Sequence, residues 1–185
     1  MLISRGFRTS LNRMATNQCN ELKNFVQDGR KIIGAALNYM DIIKARNLQV
    51  PKVPLVFLKP TSSYIQEGQD IVGEARTKGH PWTLGKGFDT STPVSRFIPA
   101  AEISDPHNLK LWLKVNGEMR QQGNTADLVF KIPELIAYIS KYMTLEPNDL
   151  ILTGTPDGAS PLSPGDVIDC GIGNVAHLTF RVKSE

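Results

Sequence analysis

The sequence predicts an α+β domain, rich in strands and with few helices. Three observations predict it. Short apolar runs recur along the chain and are closed by proline or by turn residues. The run Leu109 to Val115 alternates strictly between apolar and other side chains and leads into Asn116-Gly117. That pair is the strongest short hairpin signal, because both central positions of a type I′ turn need positive φ. Finally, a single substantial helical stripe is visible, and it opens at Pro133.

Taken in order, Lys31 to Ala36 reads as a strand, and Asn38 to Asp41 turns into a helical stretch running from Asp41 to Leu48. Val53 to Leu58 is a second strand, closed by Lys59-Pro60, since proline cannot donate to a ladder. Thr61 to Gly68 reads as loop. Leu109, Leu111, Leu113 and Val115 share one face of a half-buried strand, and Glu118 to Gln122 returns as its partner. In the helix opened by Pro133, Leu135, Ile136, Ile139, Tyr142 and Met143 share a face. Glu146 to Asp149 makes a turn into a buried strand, Leu150-Ile151-Leu152, capped by Thr153-Gly154-Thr155-Pro156. Asp166 to Asp169 and Val175 to Lys183 complete a strand pair, with Ala176, Leu178, Phe180 and Val182 on one face. The body is mixed and dominated by antiparallel strands.

A chain of 185 residues is long enough for one domain with a sizeable core. The net charge of +3 is concentrated at the start. Residues 1–20 hold Arg5, Arg8 and Arg13 and no acid; without those three arginines, basic and acidic residues balance at 18 each. A neutral body argues against nucleic acid as a partner, which needs a concentrated basic surface. No apolar run approaches the roughly 18 residues of a membrane span. The leader itself places Ile3, Phe7, Leu11 and Met14 on one helical face and Arg5 and Arg13 away from it. That is the pattern of a mitochondrial transit peptide over 1–20, preceding a domain over 21–185. A disordered basic tail, or an upstream start preceding Met14, are the other readings, with a cytoplasmic location. The two cysteines, Cys19 and Cys170, form no disulfide framework within the body, as expected of a reducing interior. Cys170 reads as a small strand residue rather than a nucleophile.

The most informative segment is Pro81-Trp82-Thr83-Leu84-Gly85-Lys86-Gly87-Phe88. A lysine between two glycines puts a compact positive charge in a tight loop, where backbone can approach a ligand closely. An anionic ligand suits it. The run from Gly79 is not a P-loop: Gly79 and Gly85 stand one residue too far apart, and Gly87 follows the lysine where Ser or Thr is needed. His80, His107 and His177 are too scattered for a histidine metal site, and His177 falls on the polar face of its strand. The acids Glu67, Asp70, Glu74 and Asp89 show no spacing that demands a metal. Thr153-Gly154-Thr155-Pro156, at the end of an apolar strand, offers amides and hydroxyls suited to a carboxylate, although such residues are also ordinary turn formers.

Four blocks in order carry a resemblance. They are Pro54-Leu55-Val56-Phe57-Leu58-Lys59-Pro60, the Pro81 to Phe88 segment, Leu111-Trp112-Leu113-Lys114-Val115-Asn116-Gly117, and Ile151-Leu152-Thr153-Gly154-Thr155-Pro156. From about Lys31 to the C-terminus the chain resembles the fumarylacetoacetate hydrolase (FAH) family, in its mitochondrial acylpyruvase and oxaloacetate decarboxylase/tautomerase branch. The resemblance implies a FAH-type mixed β-sheet roll, a homodimer and small 2-oxo acid substrates. It implies Mg²⁺ or Mn²⁺ as Lewis acid and template. It implies Lys86 as the catalytic and substrate-binding lysine, and Gly154 and Thr155 as substrate-binding residues of the loop. A His–Glu pair on a lid would move the proton.

The chain departs from that pattern in two places. The family's His-x-Glu-x-Glu motif and a later aspartate belong between the Glu67-Gly68 loop and Pro81. Here Ile71-Val72 runs almost directly into Gly73-Glu74-Ala75-Arg76. No metal ligands are therefore assigned in this chain, and core strands are expected to be missing near Val72–Gly73. In the lid, Leu37 stands for the family's arginine, Ile42 for its histidine and Ala45 for its glutamate. Two readings follow. One is a divergent FAH-family hydrolase, lyase or tautomerase. The alternative is a catalytically inactive isoform, incomplete gene model or pseudoenzyme that keeps a carboxylate-binding shell or dimer surface. A metal-free tautomerase using Lys86 has no paired base to support it.

Overall fold

The computed structural model describes residues 24–72 and 85–184. The transit peptide expected over 1–20, and Glu74, His80 and Pro81 to Leu84, lie outside the described residues.

The elements in chain order are α1 (Phe25–Asp28), β1 (Ile32–Ala36), α2 (Met40–Ala45), β2 (Leu55–Lys59), β3 (Tyr64–Gln66), β4 (Ile71–Val72), β5 (Thr92–Val94), β6 (Lys110–Val115), β7 (Glu118–Asn124), α3 (Ile132–Ile139), β8 (Leu150–Leu152), β9 (Val167–Ile172) and β10 (Ala176–Lys183). They form three sheets, in the orders β2-β1-β8, β4-β10-β9-β6-β7 and β3-β5. The pairings β1–β2, β6–β7, β6–β9 and β9–β10 are antiparallel, whereas β1–β8, β3–β5 and β4–β10 are parallel. The β-rich mixed architecture expected from the sequence is the one observed.

Alternation along β1 and β2 explains how the first sheet meets α3. The register Ile33↔Leu58, Ala35↔Val56 and Ile33↔Ile151 puts these residues on one face. Ile33, Ala35, Leu135 and Ile139 bury there together, with Val56, Phe130, Met143 and Ile151 around them. Pro133 sits in the first turn of α3, and the Lys131 N–H donates to Glu134 at 2.7 Å, which closes the helix entry. The expected stripe was broader than the observed one. Only the i, i+4 row Leu135–Ile139–Met143 packs inward; Ile136 is 44% and Tyr142 70% exposed. The helix stops at Ile139, so Tyr142 lies beyond it.

Three further expectations are corrected. Thr61 to Gly68 is not all loop: β3 pairs in parallel with β5, which a local reading misses because parallel partners are remote in sequence. The helix expected to reach Leu48 ends at Ala45, and Leu48 is exposed. Leu150-Ile151-Leu152 is half-buried rather than buried, because it is the edge of its sheet. The Asn116-Gly117 hairpin is as expected, with φ of 52° and 83°.

The second core lies against the five-stranded sheet, where Ile65, Ile71, Ile168, Phe180 and Val182 pack together. Phe180 and Val182 are buried and His177 is exposed, as the alternation of β10 predicts.

Candidate functional site

Cross-strand registers build the site. Leu113 stands opposite both Gln121 and Cys170, and Cys170 opposite Leu178. Leu111 stands opposite both Gly123 and Ile172, and Ile172 opposite Ala176. Directly paired residues share a face. Two parallel rows of side chains therefore lie on one face of the sheet. A cavity of about 240 Å³ opens over them, lined by Leu111, Leu113, Cys170, Ile172, Ala176 and Leu178, with Gln121, Ser95, Gly154, Thr155 and Pro156 also lining it. The lining is apolar along the two rows and polar where the loop and Gln121 enter. Its volume suits a ligand of a few heavy atoms, at or below the small end of ordinary binding pockets. Burial, and then the Asp169 carboxylate, push the Cys170 thiol up, which keeps it neutral and agrees with its reading as a strand residue.

The loop Thr153 to Asp157 is held from several sides. Asn38 Nδ2 donates to Thr153 O at 2.7 Å and to Phe130 O at 3.1 Å, and Asn38 Oδ1 accepts from Phe130 N at 2.8 Å. Asn38 is fully buried, so these bonds satisfy both ends of its amide. Asp41 Oδ2 accepts from Asp157 N at 3.0 Å, and Asp41 Oδ1 from Ile42 N at 2.6 Å. Gln121 Nε2 donates to Thr155 Oγ1 at 2.8 Å and to Pro156 O at 2.7 Å. Gly154 has φ 129°, and an added Cβ would meet Asn38 and the Tyr39 ring at 3.1–3.3 Å. At Gly123 a Cβ would reach Pro156 at 2.9 Å, so a bare position in β7 lets the loop settle on the sheet.

Lys86 is exposed and is not among the residues lining this cavity. Its carbonyl accepts from Ser91 Oγ at 2.9 Å, and Ser91 O accepts from Lys59 Nζ at 2.7 Å. Lys59 is 8% exposed. Burial, reinforced by the charge of Lys86, lowers its amine to about 8. The Lys86 turn is thus tied to the end of β2 by a buried lysine. Of the three expected site residues, Gly154 and Thr155 come together at the cavity, and Lys86 stands apart beside Lys59.

The described residues do not fit a divalent-metal centre. No three His, Cys, Asp or Glu side chains among them converge. Both oxygens of Asp41 are taken by backbone amides, and Asp157 lies 3.9 Å from Arg46. Of the lid positions, Ile42 is buried with Tyr39, Ile43 and Leu128 and serves as core, and Ala45 is exposed. Leu37 has φ 49°, uncommon for a leucine. His107 lies in the expected turn, and its Nε2 accepts from Ile132 N at 3.3 Å, at the start of α3.

Sequence reasoning singled out neither Asn38 as a clamp nor Gln121 nor Lys59. Asn38 carried the one available signal, a polar residue between an apolar strand and a helix.

Comparison with known proteins agrees with this architecture. Residues 73–183 match the family model described as fumarylacetoacetate (FAA) hydrolase C-terminal. The mitochondrial oxaloacetate tautomerase FAHD1 of Bos taurus is 37% identical over 211 positions, covering 88% of this chain and 96% of its own. The mitochondrial oxaloacetate decarboxylase of Dictyostelium discoideum is 36% identical, covering 82% of this chain and 92% of its own. Among solved structures, maleylpyruvate hydrolase from Sphingobium sp. SYK-6, in complex with manganese(II) and pyruvate, superposes with a TM-score of 0.71 at 29% identity, over 83% of this chain and 70% of that one. The bovine alignment is longer than the chain: 88% of 185 residues is about 163, so about 48 of the 211 positions have no counterpart here. This chain belongs to the fumarylacetoacetate hydrolase family.

Proposed function

We propose that this chain binds the carboxylate of a small 2-oxo acid at the Thr153–Pro156 loop and has lost the metal-assisted turnover of its relatives; Lys86, the cation expected from the resemblance, stands outside this cavity. The observation that carries the binding half is the Thr155 rim above an apolar cavity of about 240 Å³. Names of relatives support the substrate class: oxaloacetate for the bovine and Dictyostelium proteins, pyruvate in the Sphingobium complex. Mg²⁺ or Mn²⁺ would act in those relatives by polarising the 2-oxo acid.

Three features support loss of turnover. About 48 aligned positions have no counterpart here, in line with a segment lost near Val72–Gly73. Asp41, the carboxylate bonded to the loop, is committed to amides. Ile42, at the position of the family's proton-moving histidine, is buried among apolar side chains. Among the described residues no carboxylates converge for a metal; without such a set an enolate lacks its main electrostatic partner, and loss of even one oxyanion donor costs on the order of a hundredfold or more. The origin we favour is an internally shortened form of a mitochondrial family member. Residues 1–20 act as its transit peptide, residues 21–185 form its domain, and the chain retains the surface for a homodimer.

Identity of 36–37% to oxaloacetate tautomerases over most of the chain favours a second reading, an active enzyme on oxaloacetate. Turnover of oxaloacetate and acetylpyruvate, with and without Mg²⁺ or Mn²⁺, separates the two. We expect no turnover above the metal alone. Metal-dependent turnover abolished by Lys86→Ala overturns the inactive reading. The transcript and genomic sequence across Val72–Gly73 tests the origin, with a skipped exon encoding His-x-Glu-x-Glu as the expected result.

A further inference from the structure

Gln121 sits in an unusual place for a side-chain amide. It points to the cavity face through its register with Leu113, and its nitrogen reaches three oxygens of the loop: Thr155 Oγ1 at 2.8 Å, Pro156 O at 2.7 Å and Asp157 O at 3.5 Å. Two of the three are carbonyls, which only accept. The nitrogen must therefore face the loop, and the usual ambiguity of amide orientation is removed. An amide nitrogen carries two protons and accepts nothing. One proton goes to Pro156 O and the other to Thr155 Oγ1. The hydroxyl of Thr155 is thereby an acceptor toward Gln121, and its own proton must go elsewhere. Thr155 is exposed and lines the cavity.

We propose that Gln121 is a positioning residue that turns the Thr155 hydroxyl proton away from itself and frees it to donate into the cavity, so that the site favours a head group presenting an acceptor oxygen, a carboxylate or enolate. The proposal rests on the reading above that Thr155 touches the ligand. Gln121 acts through Thr155 and also ties the loop to the sheet by Pro156 O. The two roles separate experimentally. Replacement by Glu keeps the size but reverses the polarity: its carboxylate takes the Thr155 proton and faces the Pro156 carbonyl unfavourably.

The test is a double-mutant cycle on the full chain, with pyruvate as probe and binding followed by saturation transfer to its methyl protons. Thr155→Val and Gln121→Ala are each expected to weaken binding about five- to tenfold, the worth of one hydrogen bond. The double variant should lose clearly less than the sum of the two single losses. Gln121→Glu should bind more weakly than Gln121→Ala. Thr155→Ser should restore binding. Additive losses in the double variant, or equal binding by Gln121→Glu and Gln121→Ala, overturn the proposal. If Thr155→Val leaves binding intact, or the unaltered chain binds no pyruvate, the reading beneath it fails and takes the proposal with it. A readout independent of ligand and of Gln121 variants is the side-chain amide proton pair of Gln121. Thr155→Val should move one of the two resonances and Thr155→Ser neither; an unmoved pair in Thr155→Val also overturns the proposal.

Discussion

The amine of Lys59 donates to the carbonyl oxygen of Ser91 across 2.7 Å, and the Ser91 hydroxyl reaches back to the carbonyl of Lys86 at 2.9 Å. A buried lysine thus anchors the turn that carries the exposed one. Below pH 8 the Lys59 amine is charged in both folded and unfolded chains, and the fold bears the full cost of that buried charge. Between about 8, its folded value, and 10.5, its ordinary one, the unfolded chain binds more protons, so stability rises with pH. Relative to Lys59→Met, the unaltered chain should gain on the order of 1–3 kcal/mol over that window. Urea denaturation of both proteins at several pH values checks it; parallel curves would remove the buried charge from the account.

Asn38 should be the most sensitive polar residue near the site. Its side chain makes three hydrogen bonds that join the β1–α2 connection to Phe130 and Thr153. Asn38→Ala should cost about 2–4 kcal/mol, because buried backbone groups lose their partners. Asn38→Asp should cost more, since a carboxylate would face two carbonyl oxygens that need a donor. Chemical denaturation gives both values, and a loss below the scatter of surface substitutions would show that Asn38 does not clamp the loop.

Much of the scaffold was legible in the sequence because it rests on local signals. Alternation fixed β6 and the inward face of β10, and Asn116-Gly117 fixed the hairpin between β6 and β7. Gln121 was not legible, and the reason is specific. A two-residue turn pairs Val115 with Glu118 and Lys114 with Met119, and regular continuation would put Arg120 opposite Leu113. The ladder instead slips between Leu113 and Lys114, and Leu113 meets Gln121. A slip of one residue changes the face of every side chain beyond it. That slip, invisible to a local pattern, aims Gln121 at the loop. The β3–β5 pairing was hidden for a different reason, since parallel partners carry no turn between them. Gly154 and Thr155 were found through the resemblance, not through any property that sets them apart from a plain strand-ending turn.

Asp149 anchors the opposite end of the first sheet. Its carboxylate accepts from the N–H groups of Lys31 at 3.0 Å and Glu146 at 2.8 Å and pairs with the Lys31 amine at 3.0 Å. Burial alone would raise it, but the Glu146 N–H, the Lys31 amine and the Lys31 N–H together hold it below its ordinary 3.8. A depressed carboxyl stabilises the fold above its unfolded value and loses that contribution as pH falls through the folded one. Asp149→Asn should therefore destabilise the chain near neutral pH, by about 2–4 kcal/mol, and flatten its acid unfolding below pH 4. Acid titration followed by circular dichroism reads the change.

Gly154 should tolerate no side chain. Gly154→Ala adds a Cβ at φ 129° and at 3.1–3.3 Å from Asn38 and Tyr39, so the loop must shift. The expected cost is about 1–3 kcal/mol of stability, together with weaker pyruvate binding. A variant with unaltered melting temperature and unaltered binding would show that the loop relaxes freely.

The central claim is that the chain holds a carboxylate at Thr155 without a metal. Calorimetric titration of pyruvate into the purified chain, stripped of metal by a chelator, tests it most directly. The account predicts saturable binding that Thr155→Val weakens and that added Mn²⁺ leaves unchanged. Binding that appears only when Mn²⁺ is restored would contradict it.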